Sequence, residues 1–104
     1  MVKAVFYVPE NYNDNRLIPP ACLLELQGFL LREFGGYTAT GKVEGAWENP
    51  ETGVVFKDVS TRYEVALAEE SVDVLKEFLR GFKKKIGQDA IYFEIDKDAE
   101  IEML

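Results

Sequence analysis

The strongest constraint in this chain is a pair of long alternating segments, residues 37–48 and 54–68, separated by the run Asn49-Pro50-Glu51-Thr52-Gly53. Alternation of apolar and polar residues marks a strand with one buried face. Two such segments around a short loop containing proline and glycine read as an antiparallel hairpin. Pairing Trp47 with Val55 also pairs Val43 with Val59, Ala39 with Tyr63 and Tyr37 with Val65, which makes one face apolar. The other face then carries Thr38/Glu64, Thr40/Arg62 and Lys42/Ser60. A slip of one residue moves one strand's polar set into the core, so this register is favoured. It sets Glu44 opposite Asp58. Val54 and Phe56 change parity relative to Val59, Tyr63 and Val65, which predicts a bulge near Lys57 and Asp58.

The segments around the hairpin complete a plan. Residues 2–8 alternate, with apolar side chains on both faces, as a central strand requires, and Pro9 ends them. A polar, asparagine-rich loop follows. Pro19-Pro20 suits a helix start, because proline's missing N–H costs nothing there. Residues 21–34 read as a helix with Leu23, Leu26, Leu30 and Phe34 as its core stripe, stopped by Gly35-Gly36. A second helix is expected from an N-cap at Ser71, with Val72, Leu75, Phe78, Leu79, Phe82 and Ile86 facing the core and Gly87 closing it. Ile91, Phe93 and Ile95 alternate in a last strand, and residues 97–104 form a short extension. Strand-helix-hairpin-helix-strand order with right-handed crossovers gives an α+β fold. The expectation is a single ferredoxin-like β-α-β-β-α-β domain over residues 1–104. Its four-stranded antiparallel sheet has order 4-1-3-2, with two helices on one face.

Charge and composition narrow the function. Nineteen acidic residues against twelve basic ones give a net charge of −7, which repels phosphate backbones and makes nucleic acid an unlikely partner. The one basic run, Lys83-Lys84-Lys85, falls at a helix C-terminus, where cations complement the dipole. A single cysteine excludes an intrachain disulfide and suits a reducing, cytoplasmic setting. No apolar run approaches the roughly 20 residues that span a bilayer. The chain contains no histidine, which removes Ser-His-Asp and Cys-His catalysis, HExxH zinc sites and a histidine switch. Chemistry would fall to carboxylates, tyrosines, lysines, arginines or Cys22.

Each candidate group has a plain structural counterpart. Cys22 sits in the first turn of a helix, where the dipole can lower a thiol pKa, but it reads better as a small packed residue. The Glu44/Asp58 pair reads as a solvated hairpin edge. Asn11 to Asn15 has oxygen donors at alternate positions, yet Arg16 and Cys22 stand where a calcium loop needs glycine and glutamate. An RNA-recognition reading fails because the third strand lacks the required glycine and aromatic run. The uncovered sheet face carries the best constellation: Arg62 with Glu64, flanked by Tyr7 and Tyr92. Arginine there could grip a carboxylate with two parallel donors. Trp47, at the hairpin end beside Gly45, reads either as packing over the end of the first helix or as a recognition edge. The first helix is also apolar nearly all round, with Cys22, Leu24, Phe29 and Leu31 beyond its core stripe.

The run Phe34-Gly35-Gly36-Tyr37-Thr38, followed by Gly45-Ala46-Trp47 and the glycine-closed hairpin, resembles small bacterial and phage proteins in which a helix ending in FGG precedes a G-x-W hairpin. The resemblance covers the middle third of the chain and implies no activity. The expectation is therefore a non-enzymatic interaction or small-ligand-binding module, with no catalytic residue, metal or cofactor. It self-associates as a dimer through the open sheet face or the first helix. The alternatives are a small enzyme of the dimeric α+β-barrel type with an Arg62/Glu64/Tyr7/Tyr92 pocket, and an acidic inhibitor that mimics nucleic acid.

Overall fold

The computed structural model describes residues 1–104. The alternating opening segment forms β1 (Val2–Pro9), with Val2, Ala4, Phe6 and Val8 buried on one face. Helix α1 (Pro20–Phe34) begins on the expected prolines and ends at Gly35, whose φ of 79° is left-handed and whose N–H donates to the Leu31 carbonyl at 3.0 Å. The hairpin is β2 (Thr38–Glu48) and β3 (Val55–Leu67). Helix α2 (Val72–Lys85) follows a 3-10 turn, Glu69–Ser71, and β4 (Phe93–Asp96) closes the sheet. Ser71 stands at the start of α2 but its side chain makes no capping hydrogen bond. The 3-10 turn instead leads the chain into the helix.

The sheet order is β2-β3-β1-β4 with every neighbouring pair antiparallel, the order expected from the sequence. This is the ferredoxin-like arrangement. Both helices pack on the same sheet face: Leu26, Leu30, Leu75, Leu79 and Phe82 share one core with Phe6, Tyr63, Val65 and Leu67. Phe6 stacks on Tyr63 at 5.5 Å, and Phe29 of α1 stacks on Phe78 of α2 at 3.8 Å. The buried Tyr63 hydroxyl accepts a hydrogen bond from Gln27 Nε2 at 3.1 Å, which removes the penalty of an unpaired polar group in the core.

The hairpin register is half as expected. Thr38 pairs with Glu64 and Ala39 with Tyr63, but beyond them Lys42 pairs with Thr61 and Trp47 with Phe56. The extra residue lies between Ala39 and Lys42 of β2, not at Lys57–Asp58 of β3. Gly41 provides the physical reason. Its φ of 105° is one that side chains with a Cβ rarely adopt, so the bulge settles where the glycine is. Glu44 consequently faces Val59, and Asp58 faces Gly45, so the carboxylate pair does not form. Past the bulge the hairpin runs as a two-stranded arm with both faces largely in solvent.

Candidate active site on the open sheet face

Residues directly opposite each other on neighbouring strands share a sheet face. Tyr7 of β1 lies opposite Arg62 of β3, Val5 opposite both Glu64 and Glu94, and Thr38 of β2 opposite Glu64. All of them therefore stand on the face away from the helices. The Tyr7 N–H donates to the Tyr92 carbonyl at 3.2 Å, and the two rings stack with centroids 4.6 Å apart. The Arg62 guanidinium bonds Glu64, and Arg62 Nη1 also donates to Thr40 Oγ1 at 3.2 Å. About a quarter of the Arg62 and Glu64 side-chain surface stays exposed (26% and 29%), so the pair is sheltered without being sealed.

The electrostatics follow from these contacts. The hydrogen bond that Arg62 donates to Glu64 raises the Arg62 pKa above its ordinary value, partial desolvation opposes the rise, and Tyr7 adds to it. Arg62 is a permanent cation, available to a carboxylate. Of the other carboxylates on this face, Glu94 is exposed and Asp96, opposite Lys3, is half-buried. Val5 is only 2% exposed although it points to the uncovered face, so the group rests on a dry floor.

A cleft of about 270 Å³ opens beside Glu64. It is lined by Phe34, Gly35, Gly36, Tyr37, Thr38, Ala66 and Met103, with Glu64 in its wall. The sequence predicts Gly35-Gly36 as a helix stop and residues 97–104 as a short extension. The turn in fact forms one wall of the cleft, and the C-terminal segment brings in Met103. The signal for the first was the second glycine, which a helix stop alone does not require.

The structure brings Tyr7, Arg62, Glu64 and Tyr92 together. Trp47 is elsewhere: it stacks on Phe56 at 5.0 Å on the outer part of the hairpin, neither over α1 nor near the group. Cys22 is half-buried on α1. Asp14 of the asparagine-rich loop is engaged by Arg16 at 2.6 Å and held below the usual carboxylate range by Arg16's hydrogen bonds. On α1, Phe29 is covered by Phe78, but Leu24 and Leu31 stay exposed. No helix is long and apolar enough to cross a membrane.

No protein-family model matches the sequence, and no curated protein matches it. Among solved structures, the chain is similar to a phage SAM lyase in complex with S-methyl-5'-thioadenosine, with a TM-score of 0.66 at 12% identity over 91% of this chain and 79% of that one. The apo state of a phage SAM lyase gives a TM-score of 0.66 at 14% identity over 91% and 78%. Likeness at this identity concerns the fold. It nevertheless corrects the expectation of a non-enzymatic module, and with it the weight placed on missing histidine. In both neighbours the same plan, over about four fifths of their length, is that of an enzyme, and the small-enzyme alternative is the better supported one.

Proposed function

We propose that this chain is a small cytoplasmic enzyme, a lyase acting on a sulfonium compound of the S-adenosylmethionine class, with Tyr7, Arg62, Glu64 and Tyr92 as its substrate site. The observation that carries the reading is the group itself. A carboxylate, a guanidinium and two stacked phenol rings meet on the one uncovered face of a fold whose solved neighbours include phage SAM lyases.

The chemistry suits those residue types. A sulfonium is a cation without a proton to donate, so a carboxylate and aromatic faces are the groups that recognise it. Glu64 and the Tyr7–Tyr92 stack take that role. Arg62 takes the carboxylate of the amino-acid end with its parallel donors. A lyase step consumes no water. The C–S bonding pair goes to sulfur, giving a neutral thioether, and the electrons that replace it at carbon come from the substrate's own carboxylate, whose oxygen bonds that carbon as the C–S bond breaks, so no proton has to move. Such a step needs positioning and charge stabilisation and no histidine-activated nucleophile.

The cleft beside Glu64 is smaller than the roughly 300–1,000 Å³ usual for a small-molecule site. The reading therefore includes a second copy laid over the open sheet face to close it. The exposed Leu24 and Leu31 flank of α1 is the other surface available for self-association. The test is incubation with S-adenosylmethionine and chromatographic detection of S-methyl-5'-thioadenosine. The wild type is expected to release it, and Glu64→Gln and Arg62→Ala to lose at least tenfold in rate with unchanged circular dichroism. Substrate persisting at the protein-free rate, at high protein concentration, overturns the proposal. Light scattering after size exclusion checks the dimer.

A further inference from the structure

β4 pairs with β1 on one side only, and its other edge is free. Because Tyr7 and Tyr92 form a hydrogen-bonded pair, alternation turns the even-numbered residues of this strand toward β1. Phe93 and Ile95 therefore direct their N–H and C=O groups outward, with no strand to receive them. Beside this edge lies a groove of about 240 Å³ between α2 and β4, on the helix side of the sheet. Leu79, Ile91 and Phe93 form its apolar floor, and Lys76, Arg80 and Lys83 its rim. Lys76 sits over the Phe93 ring at 5.8 Å. Neither Lys76 nor Lys83 takes part in an ion pair, although the chain carries a charge of −7, while the exposed Arg80 is paired with Glu77 on its own helix at 2.5 Å.

We infer that this groove and edge bind an extended acidic segment of a partner protein, which adds to the sheet as a fifth strand. Three features select that occupant. The groove is too small and open to enclose a small molecule, whereas a free edge supplies a row of main-chain hydrogen bonds. The rim is cationic in an acidic protein, which selects an anion. The spacing selects alternation: Lys76 and Arg80 are four helical residues apart, about 6 Å, and alternate residues of a strand are about 6.8 Å apart. Glutamate fits best at the alternate positions. Its methylenes lie on Ile91 and Phe93 while its carboxylate reaches the rim. A second copy's β4 does not fit. Two-fold antiparallel pairing of this strand with itself sets residues of equal parity opposite one another. The even-numbered Glu94, Asp96 and Asp98 then face acids.

The test uses a capped octapeptide of alternating Glu and Thr, a block isomer with four Glu followed by four Thr, and an alternating Lys-Thr control. Binding is followed by amide NMR on the full chain. The alternating acidic peptide is expected to shift the Phe93 and Ile95 amides and to bind at least tenfold more tightly than the block isomer. The Lys76→Glu, Lys83→Glu double variant, folded by circular dichroism, is expected to weaken it at least tenfold. Three results overturn the inference: equal binding of the two isomers, shifts confined to α2 with the β4 amides unmoved, or equally tight binding of a single-stranded oligonucleotide. The last two describe a general polyanion patch.

Discussion

Replacing Gly41 with alanine tests the corrected hairpin register through one atom. An added Cβ at Gly41 meets nothing within 4 Å, so no steric contact contributes to the cost. What remains is backbone strain: φ is 105°, well outside the left-handed well that an L-residue tolerates. Residues held in such regions cost about 1–3 kcal/mol. Alanine returns about 0.4–1 kcal/mol by narrowing the unfolded ensemble, leaving a net loss of about 1–2 kcal/mol. For a domain of this length that lowers Tm by about 5–10 °C. Gly81, in the interior of α2, is the matched control, since an added Cβ again meets nothing but φ is helical. Gly81→Ala is expected to stabilise by about 0.5–1 kcal/mol. The same chemical change at two open positions thus has opposite signs, read as urea midpoints with unchanged m-values. A neutral or stabilising Gly41→Ala refutes the placement of the bulge at this glycine.

Other outcomes follow from the same geometry. Phe6→Ala removes a fully buried ring stacked between Tyr63 and Phe93 and is expected to cost about 3–5 kcal/mol by denaturant titration. Trp47→Ala loses only the exposed stack with Phe56, about 0.5–1.5 kcal/mol, and leaves activity unchanged. Lys85, bonded to Glu25 across the two helices, has its pKa raised above the ordinary lysine value, first by that hydrogen bond. A raised folded pKa means stability fully present below the unfolded value and lost as pH rises through the folded one. The stability gap between wild type and Lys85→Met is therefore constant at neutral pH and closes only in the strongly alkaline range. For Asp14, held low by Arg16, the sign reverses. The gap to Asp14→Asn is present at neutral pH and closes as acidification passes below the usual carboxylate range.

The architecture was legible because its signals are local and agree with one another. Alternation in β1, the Pro19-Pro20 start and Gly35 stop of α1, and the apolar stripe of α2 each fix one element, and short connections leave few ways to join them. The register error is instructive. The parity change at Val54 and Phe56 was a real signal, but it says only that a residue is inserted somewhere along the pair, on either strand. Gly41 was the residue able to accept the insertion, and its glycine identity pointed to β2. The Tyr7, Arg62, Glu64 and Tyr92 group was legible because strand pairing fixes faces. Trp47 was misplaced because the arm beyond the bulge leaves the body of the sheet. The cleft was not legible, since it depends on where residues 97–104 run and no periodicity states that. The function was misjudged for a chemical reason. Absence of histidine excludes particular nucleophiles and bases but leaves carboxylates, tyrosines and arginines, and the non-enzymatic expectation gave the missing groups too much weight.

The most direct measurement of the central claim, that the open sheet face is the substrate site, is an amide NMR titration of the whole protein with S-methyl-5'-thioadenosine. Saturable shifts are predicted at Tyr7, Arg62, Glu64 and Tyr92, with the Trp47 indole N–H unmoved as an internal control and the response lost in Glu64→Gln. Shifts centred on the hairpin arm or on the outer face of α2, with the open face silent, would contradict the account.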